Sequence, residues 1–122
     1  MILVVEDKES VRLILKAVFE RNGYKIVMAN NGEEAAQLWA KHKADIRLLF
    51  TDVVMPGGVT GKDLADALRA ERPSLQVVFC SGYGADIIGP DITDDPGNYF
   101  LAKPFDIARL NQIVQQALAA SA

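Results

Sequence analysis

Short runs of apolar residues alternate along the chain with longer stretches in which apolar residues recur every three or four positions. The short runs predict strands and the longer stretches predict helices. Strict alternation of the two is typical of βαβ units and a parallel sheet. The five predicted strands are Ile2–Val5, Tyr24–Ala29, Arg47–Asp52, Leu75–Cys80 and Tyr99–Ala102.

The helices are predicted from apolar spacing and from residues that begin or end a helix. The stretch Ser10–Arg21 carries apolar residues on one face and is followed by Asn22 and Gly23, which favour a stop. Capping side chains precede the other predicted helices. They are Asn31 with Glu34, Thr60 with Asp63, and Asp106.

The segment Gly82–Asn98 is rich in glycine and proline, so we expect a fourth helix that is short or irregular, over Ala85–Ile88 at most. The whole pattern predicts an α/β fold: a doubly wound, five-stranded parallel sheet with helices on both faces. A flavodoxin-like strand order 2-1-3-4-5 is expected from right-handed crossovers.

Composition limits the classes of protein to consider. A chain of 122 residues, half of them hydrophobic, fits one domain over 1–122 with a real core. The formal charge of −3 and the scattered basic residues argue against nucleic-acid binding. No apolar run reaches the ~20 residues of a membrane span, and the first residues do not resemble a signal peptide. We therefore expect a soluble, cytoplasmic domain.

Polar residues lie at the ends of four predicted strands that would share one edge of the sheet. They are Glu6 with Asp7, Asp52, Ser81 and Lys103. Ligands of open α/β sheets bind at this edge, and three carboxylates beside an ammonium suit a hard divalent cation and a phosphoryl group. Each residue also has a plainer reading: an acidic turn that caps a helix, a strand-end serine, and a surface lysine.

The single cysteine has no partner for a disulfide and no metal-ligand spacing. Cys80 lies inside an apolar run. We expect a buried, inert thiol rather than a nucleophile.

Four motifs on these strands resemble one family, the response-regulator receiver domains of two-component signalling. They are Val4-Val5-Glu6-Asp7, Thr51-Asp52-Val53-Val54-Met55-Pro56, Ser81-Gly82-Tyr83 and Lys103-Pro104-Phe105. The resemblance covers the whole chain. The sequence around Asp52 and Ser81 further resembles that of receivers attached to hybrid sensor histidine kinases.

The resemblance implies a phosphoacceptor site. Asp52 would attack the phosphorus of a phosphohistidine and become an aspartyl phosphate. Mg²⁺ would be held by Asp7, by Glu6 directly or through a water, by Asp52 and by the backbone carbonyl of Val54. Lys103 would pair with a phosphate oxygen or, before phosphorylation, with Asp52.

The resemblance also implies a conformational switch. The Ser81 hydroxyl would bind a phosphoryl oxygen and leave space that an aromatic side chain of the fifth strand then occupies. Phe100 is the predicted aromatic residue, and a plain core phenylalanine is the alternative. Tyr99 competes for the role if the strand register slips by one.

The implied partner is a histidine kinase or a histidine-phosphotransfer domain, and the receiver itself is not an enzyme. The chain would be either a stand-alone receiver or one domain of a longer protein such as a hybrid kinase; a homodimer stays open. Two other classes are an inert binding module and a small Mg²⁺-dependent phosphohydrolase. The phosphohydrolase is disfavoured because Val54 occupies the position at which an Asp-x-Asp motif has its second acid.

Two details depart from the common family pattern or stay undecided. The loop from Pro56 to Gly61 is one residue longer than the usual form, so contacts there are not carried over. The sequence alone does not decide whether the Lys103–Pro104 peptide is cis or trans.

Overall fold

The computed structural model describes residues 1–54, 59–81 and 96–120, with only the backbone at Ser81. The strands are β1 (Ile2–Val5), β2 (Ile26–Ala29), β3 (Leu48–Asp52), β4 (Gln76–Ser81) and β5 (Asn98–Ala102). The helices of this part are α1 (Glu9–Arg21), α2 (Gly32–His42), α3 (Gly61–Glu71) and α4 (Ile107–Ala120). The predictions for the loop at 55–58 and for a short helix at Ala85–Ile88 lie outside the described residues.

All five strands belong to one sheet in the order β2-β1-β3-β4-β5, and every neighbouring pair is parallel. The predicted fold class and strand order are therefore confirmed. Near the ends of the strands, Val5 pairs with Thr51 and Asp52 pairs with Cys80. The carboxyl ends of β1, β3, β4 and β5 thus meet along one edge of the sheet, here called the carboxyl edge.

Within the described residues, two helices cover each face of the sheet, and this produces two core layers. Successive residues of a strand point to opposite faces. In β1, Leu3 and Val5 pack with residues of α2 and α3 in what is here called the first core layer. Ile2 and Val4 pack with residues of α1 and α4 in the second core layer. All four side chains are at most 1% exposed. Burial of each contributes about 1.5–3 kcal/mol, so this short strand is anchored on both faces.

The predicted capping residues begin their helices as expected. The Asn31 side chain accepts a hydrogen bond from the Glu34 amide at 2.8 Å. Thr60 and Asp63 form a reciprocal capping box at the start of α3. Asp106 accepts from the Ala108 amide at 2.9 Å before α4. These bonds satisfy amides that have no partner inside the helix.

Strand boundaries differ from the predictions by one or two residues. The second strand begins at Ile26 rather than Tyr24, because the Tyr24 amide donates to the Phe19 carbonyl at 3.0 Å and still belongs to the end of α1. Gly23, at φ +81°, makes this turn possible. β3 begins one residue after Arg47. β4 is displaced by one residue from its predicted range, and β5 begins one residue earlier.

The opposite edge of the sheet, the amino edge, carries the start of the chain. Met1, Lys25, Arg47 and Leu118 line one groove there. The last turns of α4 therefore return to the edge where β1 begins. Among the described residues, no helix combines the length and the apolarity that crossing a membrane requires.

Candidate phosphoacceptor site

Three of the predicted site residues meet at the carboxyl edge because three strands deliver them there. Asp52 is the last residue of β3, Glu6 directly follows β1 and Lys103 directly follows β5. The Lys103 ammonium lies 2.8 Å from a carboxylate oxygen of Asp52 and 2.8 Å from one of Glu6. The side chains of Glu6, Asp52 and Lys103 are 2%, 9% and 21% exposed. The site is therefore a largely buried cluster of charges, in contrast to a solvated turn with a surface lysine.

The electrostatics of this cluster follow from burial and from sharing one cation. Burial, and then the hydrogen-bonded Glu6 carboxylate, raise the pKa of Asp52 to about 7 in spite of the Lys103 ammonium. Burial alone would raise the pKa of Glu6, but its bonds with Asp52 and Lys103 outweigh that effect and lower this pKa. Burial likewise opposes charge on Lys103, yet the two carboxylates raise its pKa, so Lys103 stays charged at neutral pH.

A third carboxylate completes the acidic cluster. Asp7 is exposed, and one carboxylate oxygen each from Glu6, Asp7 and Asp52 lie within 4.8 Å of one another. When all are ionised, Lys103 leaves two of their negative charges uncompensated. Oxygen ligands with excess negative charge fit a hard divalent cation.

Glu6 is held in place by bonds that the sequence did not predict. Its carboxylate accepts from the Lys8 amide at 3.2 Å, and its backbone carbonyl accepts from the Arg12 guanidinium at 2.8 Å. Arg12 lies in the first turn of α1, where the helix dipole disfavours a cation. An arginine at this unfavourable position is a signal in the sequence that Arg12 has another role, here to hold Glu6 in place.

The turn that carries Lys103 continues into the second core layer. The Lys103–Pro104 peptide is cis, which the sequence left open. The Lys103 ammonium lies 6.0 Å from the centre of the Phe105 ring, and Phe105 contacts Phe50 edge to face at 6.0 Å between ring centres. The lysine therefore leaves the sheet from a turn that is anchored by an aromatic contact.

The fifth strand has the register that the prediction of Phe100 requires. Phe100 stacks on Phe79 at 5.9 Å between ring centres and packs against the first core layer, while Tyr99 packs against the second. Ser81 pairs with Ala102 through the backbone, and its side chain lies outside the described residues. The switch roles of Ser81 and Phe100 stay predictions, as does the Val54 carbonyl as a metal ligand.

The side chain of Cys80 is buried, as predicted. Cys80 is 2% exposed, and burial raises its pKa well above the ordinary value. A thiol that keeps its proton is a poor nucleophile. Cys80 therefore serves the packing of the second core layer.

Curated relatives match this chain over nearly its full length. The response regulator receiver protein CpdR of Brucella abortus is 32% identical over 98% of both chains. The sensor kinase CckA of the same organism is 31% identical over 96% of this chain, which corresponds to only 12% of that kinase. The chain thus aligns with one small part of the larger protein and with the whole of the smaller one.

Solved structures and a family model agree with these relatives. The receiver domain of the hybrid histidine kinase CckA is 35% identical, with a TM-score of 0.81 over 96% of this chain and 97% of that domain. The receiver domain of NtrX from Brucella abortus is 27% identical, with a TM-score of 0.85 over 98% of both chains. The model of the response regulator receiver domain matches residues 2–115. This chain therefore belongs to the response regulator receiver domain family, the receivers of two-component phosphorelays.

Proposed function

We propose that this receiver accepts a phosphoryl group on Asp52 in a Mg²⁺-dependent reaction. One observation carries the proposal: a single ammonium, Lys103, is paired at 2.8 Å with both Asp52 and Glu6 inside a cluster of three carboxylates. Such a cluster can neutralise a phosphoryl group only together with a divalent cation. Phosphoryl transfer depends mainly on positioning and electrostatics, which this arrangement supplies.

The metal ligands in this proposal are the carboxylates of Glu6, Asp7 and Asp52 and the backbone carbonyl of Val54. Their oxygen donors suit Mg²⁺, which keeps several waters in most protein sites. When bound, the ion neutralises charge on the phosphoryl oxygens and on the carboxylate that receives them. Glu6 also keeps its bond with Lys103 in this scheme, so it links the cation site to the lysine.

The transfer step forms one bond and breaks one. A carboxylate oxygen of Asp52 forms a bond to the phosphorus of a phosphohistidine. The phosphorus–nitrogen bond breaks, and its electron pair returns to the imidazole. Asp52 must be ionised to attack, and a pKa of about 7 leaves part of the metal-free protein protonated at neutral pH. Lys103 then moves its ion pair from the Asp52 carboxylate to a phosphoryl oxygen.

The response to phosphorylation is proposed to involve Ser81 and Phe100. Phosphorylation adds roughly two negative charges and three acceptor oxygens at Asp52. The Ser81 hydroxyl would bind one of these oxygens, and Phe100 would change its place. The half-buried position of Phe100 beside Phe79 supports this role, since its side chain is not fully enclosed by the core. Phosphorylation shifts the equilibrium between two conformations only if the phosphoryl group interacts better with one of them than with the other.

The proposed partner is a histidine kinase or a histidine-phosphotransfer domain, and the receiver itself is not an enzyme. Two exposed apolar residues of α1, Leu13 and Ile14, support contact with another protein near the carboxyl edge. A cytoplasmic location, and membership of a hybrid kinase or a stand-alone protein, stay predictions.

The test of the proposed function is intact mass after incubation with acetyl phosphate, with and without Mg²⁺. We expect the gain of one phosphoryl group that requires Mg²⁺ and is absent in Asp52→Asn. Asp66→Asn is the matched control, because it removes one carboxylate from an exposed pair with Lys62 and leaves the carboxyl edge unchanged. No gain in folded wild type supplied with Mg²⁺ would favour a module that signals by binding alone.

A further inference from the structure

The first residue of α3 lies directly against the backbone of Asp52. Gly61 is buried, and a Cβ atom built on it would lie 2.0 Å from the carbonyl oxygen of Asp52. The same atom would lie 3.0 Å from the Asp52 carbonyl carbon and 3.1 Å from the Cα of Val53. No side chain fits in this space, so the contact between α3 and the end of β3 requires glycine.

Helix α3 has a capped start and a buried face that packs against the sheet. At its start, the Thr60 hydroxyl accepts from the Asp63 amide at 3.0 Å, and the Asp63 carboxylate accepts from the Thr60 amide at 3.3 Å. Along its buried face, Leu64 and Leu68 pack in the first core layer. The cap fixes the first turn of the helix, and the helix cannot retreat from Asp52 without opening the core.

The peptide between Asp52 and Val53 is held just as firmly. The Val53 amide donates to the Cys80 carbonyl at 3.0 Å, and the Val53 carbonyl accepts from the Gly61 amide at 2.7 Å. The Thr51 hydroxyl donates to the Asp52 carbonyl at 3.1 Å. A Cβ on Gly61 would push this peptide, and with it the residue whose side chain forms the site.

We propose that Gly61 is a positioning residue for Asp52: its missing side chain lets α3 seat the end of β3 so that the Asp52 carboxylate meets Lys103 and the metal ligands. The inference rests on the proposed function of Asp52. Gly61 does not touch the reacting atoms and acts only through the backbone of Asp52.

The geometry of the site makes it sensitive to this displacement. Mg²⁺ requires near-octahedral coordination with metal–oxygen distances of about 2.0–2.1 Å, so a carboxylate that moves by a substantial fraction of an ångström is a poorer ligand. A misplacement of about 1 Å lowers the rate of a positioned reaction by roughly 100-fold. A side chain at position 61 should therefore weaken Mg²⁺ binding as well as phosphorylation.

The test compares Gly61→Ala with Gly23→Ala. Gly23 has φ +81° and nothing within 4 Å of a built Cβ, so alanine there strains the backbone far from the carboxyl edge. Each protein is titrated with Mg²⁺ by ¹H–¹⁵N spectra, and its phosphorylation by acetyl phosphate is timed by intact mass. We expect at least tenfold weaker Mg²⁺ binding and slower phosphorylation in Gly61→Ala, and changes under twofold in Gly23→Ala.

The outcomes separate this inference from the proposed function. If wild type neither binds Mg²⁺ nor gains a phosphoryl group, the proposed function fails. If wild type does both and Gly61→Ala stays within threefold of Gly23→Ala, Gly61 has only a structural role and the inference fails. Should Gly61→Ala not fold in buffer, all three proteins are titrated in trimethylamine N-oxide, which favours the compact state.

Discussion

At the scale of single residues, one ammonium serves two buried carboxylates. Lys103 contacts both Glu6 and Asp52 at 2.8 Å, and these two acids differ in how readily they ionise. Glu6 keeps its charge because its pKa is lowered, whereas Asp52 holds a proton up to about pH 7. The metal-free site therefore has its proton on the residue that is proposed to receive the phosphoryl group.

This difference predicts how stability depends on pH in the absence of metal. The pKa of Asp52 is about 7 in the folded protein and about 3.9 in an unfolded chain, so the folded state binds the extra proton between these values. The free energy of unfolding should fall as the pH rises from about 4 to 7, by on the order of 1 kcal/mol or more. Urea denaturation in EDTA at pH 5 and pH 8 measures the change.

Asp52→Asn is the control for this pH dependence. The variant has no carboxyl group to deprotonate at this position, so its stability should vary less between pH 5 and pH 8. Mg²⁺ should stabilise wild type more at pH 8 than at pH 5, since the cation replaces the proton. Equal pH dependence in wild type and Asp52→Asn would contradict the assignment of the proton to Asp52.

Removal of the shared cation should be costly in this setting. Lys103→Met leaves Glu6 and Asp52 buried without their ammonium, and we expect a loss of roughly 3 kcal/mol at pH 8, the lower end for a buried pair because Lys103 is 21% exposed. Lys43→Met removes an ammonium whose pair with Glu71 is about half exposed, so its cost should be several-fold smaller than that of Lys103→Met. Urea denaturation compares the two variants, and equal losses would contradict the special position of Lys103.

The contacts of the site were only partly predictable from the sequence. Strand ends in alternating α/β patterns meet at one edge, and this rule was enough to bring Asp52 and Lys103 together. The bond from Lys103 to Glu6 and the bond from Arg12 to the Glu6 backbone depend on side-chain rotamers. The requirement for glycine at position 61 depends on how closely α3 approaches β3. The spacing of residues along the sequence does not reveal that distance.

At the scale of elements, α3 is the helix whose start matters most to the site. Its capping box satisfies two amides and fixes where the helix meets the end of β3. Thr60→Ala should lower the free energy of unfolding by about 1 kcal/mol, because one capping acceptor is lost.

Asn31→Ala at the start of α2 should have a similar cost, since Asn31 also caps through one side-chain bond. Only Thr60→Ala should also weaken Mg²⁺ binding, because α3 contacts the backbone of Asp52 and α2 does not begin there. Thermal unfolding and Mg²⁺ titration of both variants measure these effects. Equal Mg²⁺ affinities would limit the cap to a structural role.

The elements themselves were the most predictable part of the fold. Helix starts follow from local chemistry, so Asn31, Thr60 and Asp106 were identified from their residue types and neighbours. Strand ends were displaced by one or two residues because pairing with a neighbour, rather than local propensity, decides where a strand begins. Tyr24 illustrates this: its aromatic character favours a strand, but its amide completes the end of α1.

At the scale of the whole molecule, the proposed function requires that the carboxyl edge admits a donor protein. Leu13 and Ile14 on α1 are 61% and 52% exposed. Ala17 lies on the same helix face and lines a groove with Ile107, the first residue of α4. Leu13, Ile14, Ala17 and Ile107 together form an apolar surface, here called the α1 surface. It lies beside the start of α1, where Arg12 binds Glu6.

The α1 surface gives a prediction that separates docking from chemistry. Leu13→Asn combined with Ile14→Asn should slow transfer from a phosphorylated histidine-phosphotransfer domain at least tenfold, because apolar contact area is lost. Phosphorylation by acetyl phosphate, which needs no docking, should stay within twofold of wild type. The substitutions Leu13→Met and Ile14→Met keep the surface apolar and should preserve transfer. A loss with both donors would mean that the polar variant damages the site itself.

Both ends of the described chain lie at the amino edge, where Met1 and Leu118 line the same groove. Asp52 lies at the other edge of the sheet, one strand length away. Polypeptide joined before Met1 or after α4 would therefore enter and leave on the side remote from Asp52. Such a layout keeps polypeptide attached at these positions away from the surface through which Asp52 would be reached.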